Sequence, residues 1–555
     1  MNVHDLLAQA IAAHRSGQIA RAVAGYQAVL AQDACVTPAL TNLGSILRQH
    51  GYLDEAIALL QRAVALPDSN QNAAYNLGNA LREKGLLAQA AAAFELAIAR
   101  QPDWALAHCN LGVVLAELGK GEAAQHALRQ ALTLEPGLQM ARDNLAALIS
   151  RQLMAKQYQP AEDITQLRQL AQAFGELCPA EETLPMALPR PGAPLRVGFL
   201  SPDLCDHPVG MFLAPLLQAL DPRSIEAILY STGGREDDTR RILQQYAAWR
   251  EVSALDAGQL LAALRQEQLD VLVDLSGHTA GHRLSVLAQR AAPLQLSWLG
   301  YFATTGVPAM DYVLMDRWHA PEGAESQFTE SLAYLPLGRF CYQAPAFAPA
   351  VAPSPCLTRR YITFGSFNNP AKYHDEVFDC WAEILSATPA SRLVLKWRCY
   401  EEAPARQAVW DAFARRGIAA ERIELRPFSF HADLLAEYAD IDIALDPFPF
   451  TGGHTSCEAL WMGVPVVTWP QSRPVSRQTW AFLSALALTE LAGWSREEYI
   501  RLAVELAASP ARLCALRQSL RERMRASPLC DARRFAGDFS ALVQHLHALR
   551  RQARS

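Results

Sequence analysis

Apolar and small residues recur along the first part of the chain with a period of 34 residues. The glycines at 17, 51, 85 and 119 keep this spacing, and so do the Leu-Gly pairs at 43–44, 77–78 and 111–112. Each unit also places a small and a large apolar residue one helical turn apart, as at Ala90 and Phe94. The pattern predicts two helices per unit, with four clear units and a fifth that begins near Gln139.

A period of this length is that of the tetratricopeptide repeat, whose helix pairs stack so that neighbours bury one continuous core. Such arrays generally bind other polypeptides rather than catalyse reactions. One polar column also repeats on the first helix of each unit, one position before the repeated leucine: Asn42, Asn76, Asn110 and Asn144. These amides could hydrogen-bond an extended peptide backbone. The alternatives are that they tie neighbouring repeats together or are an accident of the repeat consensus.

Beyond Ile149 the period fades, and residues 179–194 form a proline-rich stretch typical of a domain boundary. Short apolar runs then alternate with helical ones, pause at a second proline-rich segment at 343–355, and resume. These runs are too apolar to have a solvated face, which indicates parallel sheets covered by helices. The predicted strands are Leu195–Leu200, Ile225–Tyr230, Val271–Leu275, Ile362–Phe367, Leu393–Lys396, Ile441–Leu445 and Val464–Thr468.

Two Rossmann-like lobes joined by a hinge are therefore predicted. This arrangement matches the GT-B architecture of glycosyltransferases, in which a ligand cleft lies between the lobes at the carboxyl ends of the strands. The predicted fold class is a repeat superhelix followed by two α/β lobes. The predicted domains are residues 1–150 for the repeats, 151–193 for a helical and proline-rich linker, 194–345 for the first lobe, and 346–555 for the second lobe with the donor nucleotide site.

Composition excludes several classes of protein. The chain is 51% hydrophobic and 19% charged with a net charge of −6, so it carries no basic footprint for a nucleic acid. No charged leader opens the chain and no apolar run reaches about 18 residues, so neither secretion nor a membrane partner is predicted. The eleven cysteines are odd in number and never spaced as a zinc or redox motif, which is typical of reduced thiols. We expect a cytoplasmic protein.

The loop DPFPFTGGHTSCEALW, at 446–461, follows one predicted strand and opens a helix. Its glycines allow close backbone approach, and free amides at a positive helix end suit a diphosphate. The predicted donor contacts are Gly453, His454, Thr455 and Ser456. Glu458, one turn further, could accept both hydroxyls of a ribose. The alternative is an ordinary glycine turn with a capping hydroxyl.

Two other loops that follow strands carry candidate catalytic side chains. Lys372, near Asn369 in SFNNPAK at 366–372, could neutralise a leaving diphosphate by its charge. His207, in SPDLCDHP at 201–208, could orient or deprotonate an acceptor, or bind the donor phosphate or sugar. Taken singly, a solvated lysine and a loop histidine without function are the alternatives.

The loops at 274–282 and 298–306 also follow strands of the first lobe, and their hydroxyls and glycines suit sugar hydroxyls. The candidates for sugar or acceptor binding are His278, Thr304 and Thr305, with structural turns as the alternative. Asp440 and Asp442 superficially match an acidic pair that carries manganese in other glycosyltransferases. Because the two aspartates open a buried strand, no metal is predicted.

Together these motifs resemble the O-GlcNAc transferase family, including its bacterial and SPINDLY-like members, over nearly the whole chain. The phrases VDLSGHT at 273–279, WLGY at 298–301, MDY at 310–312 and EALWMGVP at 458–465 are highly specific in combination. The resemblance implies inverting transfer of N-acetylglucosamine from UDP-GlcNAc, without metal or other cofactor, to serine or threonine of a protein held by the repeats.

The resemblance also implies roles for single residues. His207 matches the family's active-site histidine, Lys372 the diphosphate-binding lysine and Glu458 the acidic ribose ligand. Three further sets follow by motif: Thr455 and Ser456 in the diphosphate loop, Asn369 beside the uracil or phosphate, and His431 as a uridine-stacking histidine.

Two departures from the family pattern keep alternatives open. Phe302 and Ala303 replace a Pro-Gly pair, which hinders backbone approach to the sugar, and Gly453 precedes His454 where animal enzymes have His-Thr-Thr. The alternatives are the same fold with GDP-fucose as donor or asparagine as acceptor, and a non-catalytic repeat scaffold that senses nucleotide sugars.

Overall fold

The computed structural model describes residues 2–160, 164–178 and 192–552. It divides into two compact units, Met1–Gln152 and Leu153–Ser555, and the division falls within a helix. Most of the predicted proline-rich boundary, residues 179–191, lies outside the described residues. No helix in the described part of the chain is long and apolar enough to cross a membrane.

The first unit consists of helix pairs, as the 34-residue period predicts. Each Leu-Gly glycine packs against the large apolar residue of the second helix: a Cβ at Gly44 would lie 2.7 Å from Leu60 Cγ, and one at Gly78 would lie 2.7 Å from Phe94 Cε1. Glycine is therefore needed for the two helices to approach. The helices are α1 (Val3–Arg15), α2 (Ile19–Gln32), α3 (Thr37–Gln49), α4 (Leu53–Ala65), α5 (Gln71–Glu83), α6 (Leu87–Arg100), α7 (Ala105–Glu117), α8 (Gly121–Leu134) and α9 (Gln139–Gln157).

The asparagine column makes contacts within the array. The Asn110 amide donates to Tyr75 Oη at 2.9 Å and to Asn79 Oδ1 at 3.0 Å, both in the preceding repeat. The amides of Asn42 and Asn144 donate to Tyr26 Oη at 3.2 Å and to Cys109 Sγ at 3.8 Å. The contacts of Asn110 fit the alternative interpretation, in which the asparagines link neighbouring repeats. The Asn76 side chain is half-buried. Peptide binding by this column stays a prediction.

The second unit begins with α10 (Ile164–Leu177) and contains two parallel sheets. The first sheet has seven strands in the order β3-β2-β1-β4-β5-β6-β7, and every neighbouring pair is parallel. Its strands are β1 (Leu195–Ser201), β2 (Ile225–Ser231), β3 (Ala248–Glu251), β4 (Val271–Asp274), β5 (Leu294–Ser297), β6 (Tyr312–Met315) and β7 (Ser331–Tyr334). Its helices are α11 (Pro208–Ala219), α12 (Asp238–Tyr246), α13 (Ala257–Gln266) and α14 (Leu284–Leu287).

The second sheet has five parallel strands in the order β10-β9-β8-β11-β12. Its strands are β8 (Thr363–Ser366), β9 (Arg392–Lys396), β10 (Ile423–Arg426), β11 (Ile443–Leu445) and β12 (Val466–Val467). The helices of this half are α15 (Cys356–Arg359), α16 (Asp375–Ala387), α17 (Ala403–Ala414), α18 (His431–Glu437), α19 (His454–Trp461), α20 (Gln478–Ala485), α21 (Arg496–Ala507), α22 (Pro510–Ala526) and α23 (Ala532–Gln552). The predicted fold class, repeats followed by two Rossmann-like lobes, is confirmed.

The last helix returns to the first lobe. In α23, the Phe539 ring lies 5.3 Å from the ring of Trp298 and 6.1 Å from that of Phe199. Arg550 near its end pairs with Asp311 at 3.2 Å. The core of the second half is consequently shared between the lobes rather than divided at the hinge.

The order of strands locates the ligand site. In each sheet the order of strand addition reverses once while all strands stay parallel: it runs toward one edge up to β3 or β10, and toward the other edge from β4 or β11. The switch point therefore lies between β1 and β4 in the first lobe and between β8 and β11 in the second. Open α/β sheets bind ligands at this switch point, outside the carboxyl ends of the strands. The loops in these places begin at residues 202 and 275 in the first lobe and at 367 and 446 in the second.

Candidate active site between the two lobes

A cleft of about 230 Å³ opens where these loops meet, and side chains of both lobes line it. The structure brings six of the predicted site residues to its wall: His207, Asn369, Lys372, Gly453, His454 and Thr455. Thr279 and Gly300, from the two remaining loops of the first lobe, line it as well. The loops that the sequence marks as functional in both lobes therefore converge on one cleft.

Lys372 is a buried cation in the wall of this cleft, with 9% of its surface exposed. Its Nζ donates to Asn368 Oδ1 at 2.9 Å and to the Thr451 carbonyl at 3.0 Å, and it lies 4.6 Å from the centroid of the Phe450 ring. Burial lowers the pKa of the Lys372 amine to about 8, against a smaller opposite effect of Asp446. Since an ammonium has three protons, one N–H beyond these two bonds can donate to a ligand.

The buried Asp446 side chain holds the glycine-rich loop in place. This carboxylate accepts from the Gly452 amide at 2.6 Å and from Thr468 Oγ1 at 2.6 Å, so Gly452 is not one of the free amides that the sequence predicts. The amides of His454 and Thr455, in the first turn of α19, meet no acceptor within the described residues. A helix end with unpaired amides attracts anions, and here it faces the same cleft as Lys372.

Thr455 and Ser456 differ in what their hydroxyls do. Thr455 lines the cleft and donates to Asn368 Oδ1 at 3.1 Å, the same oxygen that accepts from Lys372. Ser456 Oγ is bonded to Thr479 Oγ1 at 2.8 Å and does not reach the cleft wall. For Ser456 the placement corrects the predicted donor contact, because its hydroxyl already has a buried partner.

Glu458 lies one layer behind the wall and organises two histidines. Its Oε1 accepts from His431 Nε2 at 2.6 Å and lies 3.2 Å from His454 Nδ1. Burial raises the pKa of the Glu458 carboxyl, but the charge of His454 and the bond from His431 outweigh it, and the pKa falls to about 2. The hydrogen bond to Glu458 raises the pKa of His431. The Phe347 ring lies 5.4 Å from the His431 ring.

His207 stands at the first-lobe side of the cleft, as the N-cap of α11. Its Nδ1 accepts the Val209 amide at 3.3 Å and lies 3.8 Å from Asp203 Oδ2. Burial lowers the pKa of His207, against an opposite effect of Asp203. A neutral ring whose Nδ1 accepts must carry its proton on Nε2, so this histidine is arranged to donate a hydrogen bond.

Three candidates for sugar binding do not reach the cleft. His278 Nε2 is bonded to the Thr305 carbonyl at 2.9 Å, and burial lowers the pKa of His278 to about 3. Thr304 Oγ1 donates to Glu330 Oε2 at 2.6 Å, and the amide of Thr305 donates to Glu330 Oε1 at 2.7 Å. These side chains are buried and hold two loops together, so their predicted contact with sugar is corrected.

The acidic pair considered for manganese is already engaged. Asp442 accepts from Ser354 Oγ at 2.8 Å and from the Thr363 amide at 3.0 Å, which ties the hinge segment to the sheet. Asp440 pairs with Arg426 at 3.0 Å and with Arg359. In the described parts of the chain, no group of three His, Cys, Asp or Glu side chains is placed to hold a metal ion.

The sequence misses several residues of the cleft wall. Met154 and Tyr158 come from the end of α9 and the turn after it, Trp397 follows β9, and Gln478 begins α20. Gln478 Nε2 donates to the Thr451 carbonyl at 3.0 Å, beside the bond from Lys372. None of the four lies in a motif, and no local pattern in the sequence marks them.

Comparisons with known proteins agree with this architecture. Residues 180–345 and 355–539 match the model of the family described as glycosyl transferase family 41. Residues 7–71, 41–105 and 75–139 match a tetratricopeptide repeat model. A solved structure of a lysine-to-methionine mutant of the Thermobaculum terrenum O-GlcNAc transferase is similar at a TM-score of 0.70 and 32% identity, over 100% of this chain and 98% of that one.

Plant and animal relatives are similar over a part of their own length. A probable UDP-N-acetylglucosamine–peptide N-acetylglucosaminyltransferase SPINDLY of Solanum lycopersicum is 35% identical over 64% of this chain and 39% of its own. A UDP-N-acetylglucosamine–peptide N-acetylglucosaminyltransferase of Caenorhabditis elegans is 22% identical over 63% of this chain and 40% of its own. The chain thus spans about two fifths of the length of these relatives.

Proposed function

The chain belongs to glycosyl transferase family 41, and from that premise we propose that it transfers N-acetylglucosamine from UDP-GlcNAc to serine or threonine of proteins held by its repeats. The observation that carries the proposal is one cleft that joins a buried ammonium, Lys372, to the unpaired amides at the start of α19. Both groups attract a diphosphate, and the names of the relatives support a nucleotide sugar as its source.

In the proposed reaction the acceptor hydroxyl oxygen bonds to the anomeric carbon while the bond from that carbon to the diphosphate breaks. The configuration at the anomeric carbon inverts because the attack comes from the side opposite to UDP. Lys372 and the α19 amides stabilise the negative charge that develops on the leaving diphosphate, so no metal is required. Glu458, with its two histidines, is proposed to hold the ribose.

The hydroxyl proton must also be accepted during this step. Since His207 Nδ1 is engaged by the Val209 amide, we assign His207 the role of a donor to a phosphate or sugar oxygen, and the proton passes to an oxygen of the departing diphosphate. The products are a glycosylated protein and protonated UDP, which then loses its proton to solvent.

Incubation with labelled UDP-GlcNAc and a cell lysate tests this function. We expect labelled protein bands with the wild-type chain and their loss in Lys372→Ala. Calorimetric titration with UDP and with GDP tests the donor, and tighter binding of GDP would transfer the assignment to GDP-fucose. If no band appears and Lys372→Ala behaves as wild type, a non-catalytic scaffold is the better description. Nuclear magnetic resonance of the glycosidic linkage in the product determines the stereochemistry.

A further inference from the structure

The end of the helix that follows the repeats forms part of the cleft wall. Met154 lies in the last turn of α9 and Tyr158 directly after it, and both line the cleft with Lys372. The Tyr158 ring lies 4.7 Å from the Phe450 ring at an interplanar angle of 34°. Phe450 is also the ring that Lys372 Nζ contacts, at 4.6 Å. The Phe450 ring therefore lies in contact with both Tyr158 and the Lys372 ammonium.

A buried arginine holds this segment in place. Arg473, which is 3% exposed, donates from Nη1 to the Lys156 carbonyl at 2.7 Å and from Nη2 to the Gln159 carbonyl. Lys156 lies in the last turn of α9, where backbone oxygens have no partner within the helix, and Gln159 lies two residues beyond the helix end. Burial lowers the pKa of Arg473 to about 10, and no carboxylate among the described residues pairs with it. Such a costly arrangement fixes the backbone on either side of Tyr158.

We propose that Tyr158 is a positioning residue of the donor site, whose ring holds Phe450 against Lys372 and closes this side of the cleft to water. The inference rests on the proposed function, because the ligand of Lys372 is taken to be the donor diphosphate. Arg473 supports the same arrangement by holding the two peptide groups that flank Tyr158. The sequence alone does not mark either residue, since both lie outside the motifs.

The geometry fixes what removal of the ring would do. Without Tyr158, Phe450 loses the ring that packs against it and water reaches the Lys372 amine, so the ammonium is less firmly placed and better hydrated. Aromatic pairs and contacts between cations and rings have strengths that correspond to about 3- to 10-fold in affinity. The effect should appear for ligands with a diphosphate and be small for uridine, which has none.

The experiment compares Tyr158→Ala and Tyr158→Phe with the wild-type full chain by calorimetric titration with UDP and with uridine. We expect Tyr158→Ala to weaken UDP binding about 3- to 10-fold and to leave uridine binding unchanged, and Tyr158→Phe to bind as wild type. Tyr246→Ala, at an exposed tyrosine of the first lobe, is the matched control. Equal UDP affinities of wild type and Tyr158→Ala would overturn the inference.

A second measurement does not depend on any donor. The pKa of the Lys372 amine can be followed by the pH dependence of its acetylation, read by mass spectrometry. The charged group that acts on this amine is Asp446, at the end of β11, and it is unchanged in the variants. We expect the midpoint to rise in Tyr158→Ala and in Arg473→Met, and to stay in Tyr158→Phe. An unchanged midpoint in Tyr158→Ala and Arg473→Met overturns the inference, whereas absence of UDP binding by the wild type overturns the proposed function alone.

Discussion

Replacement of Lys372 by methionine should separate the stability of the fold from the affinity of the site. The ordinary pKa of a lysine is 10.5, and burial lowers that of Lys372 to about 8. The unfolded chain therefore binds the proton more tightly than the folded one, and the charge costs folding about 3 kcal/mol at every pH below about 8. This cost disappears as pH rises from about 8 toward 10.5, so stability increases over that range.

Methionine has a similar length and no charge, so it removes this cost. The bonds to Asn368 and Thr451 are lost with it, at about 1 kcal/mol each. The free variant should consequently be no less stable than wild type at pH 7, and up to about 1 kcal/mol more stable. A hydrogen bond from a charged donor to the diphosphate contributes about 1.5–3 kcal/mol, so UDP should bind roughly 10- to 150-fold more weakly.

Thermal unfolding with and without UDP measures both effects. At 1,000 times the wild-type Kd, UDP stabilises the wild type by about 4 kcal/mol, which corresponds to a Tm increase of roughly 5 °C for a unit of this size. After a 50-fold loss of affinity the same concentration gives about 2 kcal/mol and roughly half that shift. Lys396→Met is the control, since this buried lysine pairs with Glu437 at 2.7 Å and its loss should lower the Tm without UDP.

The reasoning is refuted if Lys372→Met lowers the Tm of the free protein by several degrees, because the ammonium would then be a structural group. It is equally refuted if the Tm increase with UDP is unchanged, because Lys372 would then not contact the diphosphate.

Three further predictions follow from the same geometry. Glu458→Gln should weaken UDP binding about 10-fold and lower the Tm, because His431 and His454 lose their charged partner. Calorimetry checks this with Glu424→Gln, at an exposed glutamate, as the control, and equal UDP affinities of Glu458→Gln and wild type would count against it. UDP affinity of the wild type should decline above about pH 8 as Lys372 loses its proton, and a flat profile between about pH 7 and 9.5 would contradict that. Asn110→Ala should destabilise the repeats by about 1–2 kcal/mol in urea unfolding, more than Asn76→Ala does, because Asn110 donates two hydrogen bonds to the preceding repeat.

The repeats and the strands next to the site could be predicted because their signals are local. Gly44 and Gly78 recur at a fixed spacing, since each leaves space for a large residue of its own helix pair. β1, β4, β8 and β11 read as apolar runs because both faces of these strands are covered. The sequence does not give bounds for strands β3, β5, β6, β7 and β10. Three of these, β3, β7 and β10, are edges of their sheets, with exposed or half-buried positions that break the apolar run.

The placement of site residues is less local, and the sequence predicts it only in part. Lys372 and His454 reach the cleft because each follows a strand beside the switch point of its sheet. His278 occupies an equivalent loop, yet it turns inward, where Thr305 and Phe174 enclose it. Which way a loop side chain turns depends on partners far along the chain. Tyr158 lies outside every motif, yet its packing against the distant Phe450 places it in the cleft wall.

A comparison of the buried cations of the second lobe supports the proposed anion site at Lys372. Arg517 and Arg473 are each 3% exposed and have no carboxylate partner among the described residues, but their N–H groups are directed at backbone carbonyls, three for Arg517 and two for Arg473. Two or three of the five N–H groups of each guanidinium thus hold the chain, and neither arginine lines the cleft. Lys372 also lacks a paired carboxylate in this part of the structure, yet it lies in a cleft wall beside unpaired amides and keeps a proton for a further acceptor. A buried positive charge that still has an unused N–H donor is compensated best by an anion. The diphosphate of a nucleotide sugar has the negative charge and the acceptor oxygens for this.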